Sequence, residues 1–189
     1  MARVGIDRER IIQAAVDIAD RNGAGAVTIK SVAEALGVRS PSLYNHVDSI
    51  EDLQNGLSLH GITLLRERIV EAAIGHSGHE AIREMALAYM RFAGEHPGLY
   101  ESIQWMNVWA DPQKGEIFGS VIRLINDIYA AFGLDETETS HIIRTFRSLL
   151  HGYASIESHR GFGHSADVED SLVCALDLIV QGIRGKYAI

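Results

Sequence analysis

The length, composition and charge of the chain exclude several classes of protein. Its 189 residues are 47% hydrophobic and 22% charged, a balance typical of folded globular proteins and not of disordered ones. No apolar run approaches the roughly 18 residues that a membrane-spanning helix needs. The charged start of the chain does not resemble a secretory leader, so we expect a cytoplasmic protein. The single cysteine, Cys174, excludes an intramolecular disulfide and a cysteine-rich zinc site.

Acidic residues are concentrated beyond the first 50 residues. Residues 1–50 carry six Lys/Arg and six Asp/Glu, whereas the remainder carries eleven and nineteen, which accounts for the whole net charge of −8. An acidic surface repels DNA, while a neutral segment can hold a local basic face. The distribution permits nucleic-acid binding by the first 50 residues and argues against it for the rest.

Helical periodicity runs along nearly the whole chain, and no sustained apolar–polar alternation predicts a strand. The first four helices each begin at a residue that suits the N-cap position: Asp7, Thr28, Ser40 and Ser49. Glycines at 23 and 37 end the first two, and the fourth extends to about residue 74. Five further helices are predicted over about 80–94, after Pro97, and over 114–132, 136–159 and 167–186. The expected fold is all-α with about nine helices.

The segment from Ile29 to Val47 has the spacing of a helix-turn-helix. Ala33 supplies the small residue that a closely crossing helix needs, and Gly37 supplies a turn with positive φ. Leu43 is the apolar anchor of the second helix. The other interpretation is an ordinary helical hairpin with a glycine turn.

In the helix-turn-helix interpretation, the recognition helix runs over 41–47 and its N-terminal end enters the major groove. Pro41 stands at its first position, where a missing N–H costs nothing. The side chains able to reach base edges are those of Arg39, Ser40, Ser42 and Asn45. Phosphate contacts are predicted for Tyr44 and His46, and backbone clamping for Lys30 and the helix start at Thr28.

Residues 7 to about 57 closely resemble the DNA-binding head of TetR-family regulators. The similarity is carried by residues 28–47 and above all by Leu-Tyr-Asn-His-Val at 43–47, with support from 11–19 and 49–53. It implies a three-helix head, residues 1–50, and a ligand-sensing and dimerisation domain, residues 51–189. It also implies dimers on palindromic double-stranded operators, usually repressors released by a small ligand.

The resemblance also assigns roles to single residues. Tyr44 and His46 match phosphate-contacting positions, and Thr28 and Lys30 match backbone-contacting ones. Positions 40–42 match the variable, base-reading end of the recognition helix. One departure is Ile50, which stands where the family usually has a phosphate-facing lysine.

The C-terminal half is similar to the family subgroup whose sensor domain is named for a Trp-His-Gly motif. The similar segments are 96–100 and 146–153, with Leu150 in place of the tryptophan. Apolar stripes on the last two helices predict a dimer interface of four helices, two from each subunit. Its expected residues are Phe146, Leu149, Tyr153, Leu172, Ala175, Ile179 and Ile183. The alternative is that both stripes are intramolecular core.

A ligand site is predicted where aromatic residues and methionines accompany a histidine, a combination that suits an apolar ligand with a polar handle. The candidates are His60, Met85, Tyr89, Phe92, Trp105, Met106 and Trp109, although core packing needs the same residue types. The nine histidines are scattered, so we expect no metal site and no cofactor.

An enzyme is not expected, because the sequence has no nucleophile elbow, no phosphate-binding glycine loop and no paired catalytic carboxylates. A helical protein-interaction module that has lost operator binding is the alternative to a DNA-binding regulator. Ile50 and the low charge of the head favour it, and the salt dependence of DNA affinity separates the two.

Overall fold

The computed structural model describes residues 6–104, 111–163 and 165–187, and all regular secondary structure in them is helical. This confirms the predicted all-α fold. Two short 3-10 helices occupy Ala24–Ala26 and Ser40–Asn45. The α-helices are α1 Arg8–Asn22, α2 Ile29–Ala35, α3 Ile50–Ala73, α4 Gly78–Glu95, α5 Pro97–Gln104, α6 Pro112–Ala130, α7 Glu136–Ser158 and α8 Val168–Tyr187. None of the described helices combines the length and apolarity needed to cross a membrane.

Side-chain caps fix where several helices begin. The Asp7 carboxylate accepts a hydrogen bond from the Arg10 backbone N–H at 2.8 Å and starts α1. Asp135 does the same for α7, where Glu138 completes a capping box by accepting from the Asp135 N–H at 3.1 Å. These bonds satisfy N–H groups that have no partner inside a helix.

The chain divides into two compact units. The first comprises Met1–Leu65 with Glu95–Ile117, and the second comprises Arg66–Gly94 with Phe118–Ile189. The boundary predicted at residue 50 concerns function rather than compactness, and it stays a prediction.

In the first unit, α1, α3 and α5 approach one another closely at small residues. A β-carbon at Gly56 of α3 would meet Ile12 of α1, and one at Gly61 would meet Leu99 of α5. The backbones of α5 and α1 come closest, because a β-carbon at Gly98 would overlap the carbonyl group of Ala19. The apolar side chains of Ile11, Leu53, Leu57, Ile62 and Leu99 in this unit are at most 2% exposed.

The second unit buries one face of α4 together with side chains of α6, α7 and α8. The inward side chains of α4 predicted from its periodicity, Ile82, Met85, Tyr89 and Phe92, are all buried. From the later helices, Tyr129, Thr139, Leu172 and Leu176 are at most 2% exposed.

Candidate nucleic-acid interface

The start of α2 is built by reciprocal hydrogen bonds between Thr28 and Ser31. The Thr28 hydroxyl accepts from the Ser31 backbone N–H at 3.0 Å, and the Ser31 hydroxyl oxygen accepts from the Thr28 N–H at 2.9 Å. The N-cap predicted at Thr28 is confirmed. Ser31 was not singled out from the sequence, although a polar residue three positions after an N-cap is the signal for such a box.

The turn after α2 has the predicted geometry. Gly37 has a φ of +66°, and the Val38 N–H donates to the Ala33 carbonyl at 2.9 Å, which closes the turn onto α2. Ala33 is 2% exposed and Leu43 is fully buried, so the small residue and the apolar anchor both lie in the core. The local sequence therefore sets the angle at which the following segment leaves α2.

The recognition segment, Ser40–Asn45, is a 3-10 helix. Ser40 is not its N-cap: Arg39 stands before the first helical residue, and no side chain caps this end. Because the helix begins one residue earlier than predicted, Pro41 is its second residue and not its first; the Ser42 N–H bonds three residues back to the Arg39 carbonyl at 2.9 Å. A segment of six residues forms too few hydrogen bonds to favour the α-helical pattern strongly, and 3-10 geometry is common in such short pieces.

The predicted DNA-contacting residues lie together on the first unit, and none of them is fully buried. The Tyr44 side chain is 54% exposed although it is large and aromatic. Thr28, Lys30, Arg39, Pro41 and Asn45 are also exposed, whereas Ser40, Ser42 and His46 are half-buried. Lys30 lies 3.8 Å from Glu34 in an exposed ion pair. The DNA contacts themselves stay a prediction.

A set of polar contacts, the Arg8 clamp, holds the end of the recognition segment. The Arg8 guanidinium donates to both carboxylate oxygens of Asp52, at 2.7 and 2.8 Å, and to the His46 backbone carbonyl at 3.0 Å. Asp52 also accepts from the Asp48 N–H at 3.0 Å. The clamp therefore joins the starts of α1 and α3 to the chain around His46.

The clamp is charged near neutral pH. The hydrogen bonds from Arg8 lower the pKa of Asp52 from 3.8 to about 2, and the same contact raises the pKa of Arg8. A lowered carboxyl pKa stabilises the fold above pH 3.8, and that contribution is lost as the pH falls through about 2. Because both side chains are partly exposed, it amounts to no more than about 1 kcal/mol.

Sequence reasoning identified only part of this arrangement. It placed Ser49 at the start of the long helix, and the Asp52 N–H does donate to the Ser49 hydroxyl oxygen at 3.2 Å. The pairing of Arg8 with Asp52 spans 44 positions and leaves no local signal. Ile50, in the place of the family's lysine, is half-buried and is the first residue of α3.

Replacing Arg8 by methionine is expected to weaken binding to duplex DNA by up to about fivefold, whatever the sequence. The substitution removes the charged hydrogen bonds that hold the chain at His46, and partly exposed contacts of this kind contribute no more than about 1 kcal/mol. Fluorescence anisotropy with labelled duplexes at constant salt measures the effect.

Two variants separate the clamp from a simple loss of charge. Arg21→Met removes the same charge from α1, where Arg21 forms an exposed ion pair with Asp17, and should change DNA affinity much less. Asp52→Asn breaks the clamp but keeps the Arg8 charge. If Arg8 served only to attract phosphate, Asp52→Asn would strengthen DNA binding; the clamp requires that it weaken it.

The predicted ligand residues do not all lie in one unit. Met85, Tyr89 and Phe92 are buried on α4 in the second unit, whereas His60 is exposed on α3 in the first. The remaining three, Trp105, Met106 and Trp109, lie outside the described residues. Their joint role in binding a ligand stays a prediction.

The predicted dimer residues divide by burial. Phe146, Leu172 and Ile183 are inside the protomer core. Four remain partly accessible: Leu149, Tyr153, Ala175 and Ile179. The same two helices carry two further exposed apolar side chains, which the prediction did not include. They are Ile156, 44% exposed, and Leu178, 65% exposed.

Two family models match the chain. The model described as "Bacterial regulatory proteins, tetR family" matches residues 11–55, and "Tetracyclin repressor-like, C-terminal domain" matches residues 82–179. Neither description names the Trp-His-Gly subgroup, so that assignment stays a prediction.

Relatives and solved structures agree with these matches. The chain is 28% identical to the uncharacterized HTH-type transcriptional regulator YobS of Bacillus subtilis, over 96% of this chain and 94% of that protein. It is 31% identical to the uncharacterized HTH-type transcriptional regulator Rv0681 of Mycobacterium tuberculosis, over 80% of this chain and 70% of that protein. Its fold is similar to that of a possible TetR family transcriptional regulator from Streptomyces coelicolor, with a TM-score of 0.72, 15% identity and coverage of 95% and 99%.

Proposed function

Because the chain belongs to the TetR family of bacterial regulators, we propose that it binds a palindromic operator as a dimer and represses transcription there until a small apolar ligand releases it. As a member of this family it is a DNA-binding transcription regulator and not an enzyme. The observation that carries the proposal is the exposed recognition segment, which the Arg8 clamp holds within the region matched by the family's DNA-binding model. The proposed place of action is the cytoplasm.

The accessible apolar residues of α7 and α8 support the dimer. Leu178 and Ile156 are large hydrophobic side chains in solvent, and the half-buried Tyr153 and Ile179 lie on the same two helices. Pairing two helices from each protomer covers such surface in a four-helix bundle. A two-fold dimer presents two recognition segments, which is the symmetry that a palindromic operator requires.

The ligand part of the proposal rests on the second unit. Met85, Tyr89 and Phe92 place flexible and aromatic apolar surface along one face of α4. Side chains of this kind suit an apolar molecule, and a ligand that binds only one conformation of a regulator shifts its population away from the DNA-binding one.

A helical interaction module without operator binding is the second candidate. Ile50 supports it, because an apolar side chain stands where the family has a phosphate-facing lysine, and the exposed Asp48 lies two residues earlier. Measuring DNA affinity against salt separates the candidates. A regulator that contacts several phosphates loses DNA affinity steeply as the logarithm of the salt concentration rises. An interaction module that does not bind DNA shows no such dependence.

Selection of bound duplexes from a random pool, at near-physiological salt, tests the proposed function. We expect recovery of a palindrome whose half-site centres are one or more helical turns apart, multiples of about 34–36 Å. A matched selection with Asn45→Ala should recover a different or weaker consensus. Failure of the folded, dimeric wild-type protein to enrich any sequence would favour the interaction module.

A further inference from the structure

Four buried polar atoms of the second unit have no hydrogen-bond partner, among the residues that the structure describes. They are the two ring nitrogens of His79, the side-chain oxygen of Asn126 and the hydroxyl of Tyr129. Tyr129 is fully buried and His79 is 9% exposed. Burying such groups unpaired is costly, and in natural proteins orphaned polar atoms commonly mark a bound water, ion or ligand.

His79 and Tyr129 come together at the ends of two helices. His79 is the second residue of α4, Tyr129 lies in the last turn of α6, and their ring centroids are 6.0 Å apart. Asn126 precedes Tyr129 by three positions and therefore lies on the same side of α6. We call these three residues the buried polar cluster.

The buried polar cluster is uncharged near neutral pH. Burial lowers the pKa of His79, with a further contribution from the Arg184 charge, so the ring is neutral. Burial also raises the pKa of Tyr129 and keeps its hydroxyl protonated. A neutral site of this kind disfavours a charged occupant, because a buried charge needs an opposite charge beside it.

Phe132 closes the cluster on one side. Its ring stacks on His79 with centroids 5.3 Å apart and planes 1° from parallel. Gly78 makes room for that ring, since a β-carbon there would lie 2.7 Å from its Cζ atom. Phe132 is only half-buried and the next residue, Gly133, has a φ of +82°, so the ring sits at a turn and at the surface.

We propose that the buried polar cluster is the polar end of a binding site for a small neutral molecule with a hydroxyl group, covered by Phe132. A hydroxyl can pair with three of the four atoms: it donates one hydrogen bond, which the Asn126 oxygen accepts, and accepts two, which one His79 nitrogen and Tyr129 donate. That this molecule regulates DNA binding rests on the proposed function. The inference adds that the effector carries a neutral hydroxyl group.

Phenol and toluene, which have similar shapes, are the probes that test the site. Calorimetry with the full-length protein and no DNA should give phenol at least about tenfold tighter binding than toluene, a ratio within reach of one satisfied buried polar group. Tyr129→Phe should reduce this preference, because it removes one of the three proposed hydrogen bonds to the hydroxyl. Tyr153→Phe is the matched control, because the Tyr153 hydroxyl already donates to the Ser171 carbonyl at 3.2 Å, and it should keep the preference.

Removing the cover strengthens the test. Phe132→Ala leaves a space beside His79 and should tighten phenol binding several-fold, as engineered apolar cavities take up small aromatic molecules. Equal affinities for the two probes in both the wild-type protein and Phe132→Ala would overturn the proposal.

Thermal denaturation without any probe keeps the proposal testable if Phe132→Ala does not fold. Removal of an unpaired hydroxyl should leave the melting temperature of Tyr129→Phe unchanged or higher, whereas Tyr153→Phe should lower it. A lower melting temperature for Tyr129→Phe would mean that an internal water already satisfies the hydroxyl, and would overturn the site. Operator binding, measured on the same protein without probe, reports separately on the proposed function.

Discussion

Replacing Gly98 by alanine is expected to lower the free energy of unfolding of the first unit by about 3 kcal/mol or more. The added β-carbon would overlap the Ala19 carbonyl and come within 2.8 Å of the Asp20 backbone nitrogen. Because these atoms belong to the backbone of α1, a rotation of a side chain cannot relieve the overlap, and α5 has to move. Chemical denaturation followed by circular dichroism measures the loss.

Gly94→Ala is the matched control. Gly94 is exposed near the end of α4, and no atom lies within 4 Å of the position its β-carbon would take. Alanine at an open helical position stabilises a protein by about 0.4–1 kcal/mol, because it restricts the unfolded chain. The two variants should therefore differ in sign, and equal stabilities would show that α1 and α5 are not in close contact.

Gly98→Ala should also weaken DNA binding, because the α1–α5 contact belongs to the unit that holds the recognition segment. Asp20, near the end of α1, accepts from the His96 ring at 2.7 Å and from the Leu99 N–H at 2.9 Å. Glu101 of α5 accepts from the Ala24 N–H at 3.1 Å. A shift of α5 breaks these bonds and disturbs α1. Because α1 provides Arg8 of the clamp, the position of the recognition segment changes as well.

Local signals in the sequence were sufficient to predict where several helices begin and where the turn after α2 lies. Asp7 and Thr28 cap helices because their side-chain oxygens each accept from an N–H group three residues further along the chain. Gly37 adopts positive φ where a two-helix turn needs it. Each of these effects depends on neighbours in the chain, and each was predictable for that reason.

Contacts between distant residues were not predictable in the same way. Asp20 and His96 are 76 positions apart, and Arg8 and Asp52 are 44 apart. Their residue types permit an ion pair but do not select the partner among 25 acidic and 17 basic residues. The inclusion of α5 in the first unit follows from such contacts, so a boundary placed from sequence at residue 50 could not anticipate it.

The 3-10 geometry of the recognition segment illustrates a second limit. The sequence predicted a helix here but placed its start one residue late, at Pro41, and the choice between two hydrogen-bond patterns depends on small energy differences over six residues. The buried polar cluster is a third case. Nothing near His79 in the sequence indicates that Tyr129 packs beside it, or that both side chains lack hydrogen-bond partners among the described residues.

Substitutions in the recognition segment are expected to separate into two classes. Tyr44→Phe and His46→Ala should weaken binding to all duplexes alike, by about tenfold for the loss of a single hydrogen bond to a charged phosphate. Asn45→Ala and Ser42→Ala should instead reduce affinity for the selected operator by about 1–3 kcal/mol and leave random duplexes nearly unaffected. Competition anisotropy with operator and random duplexes, at one salt concentration, measures both quantities for each variant.

The two classes serve as controls for each other, because all four positions lie within five residues on the same short segment. Tyr44 and Asn45 are both exposed and adjacent, so a general disturbance of the fold would affect them equally and give one class instead of two. If Asn45→Ala weakens operator and random duplexes to the same extent, Asn45 contacts phosphate and the base-reading assignment is wrong. If none of the four variants changes DNA affinity, the recognition segment itself is wrongly assigned, and the Ile50 departure then becomes the leading evidence for a head that no longer binds an operator.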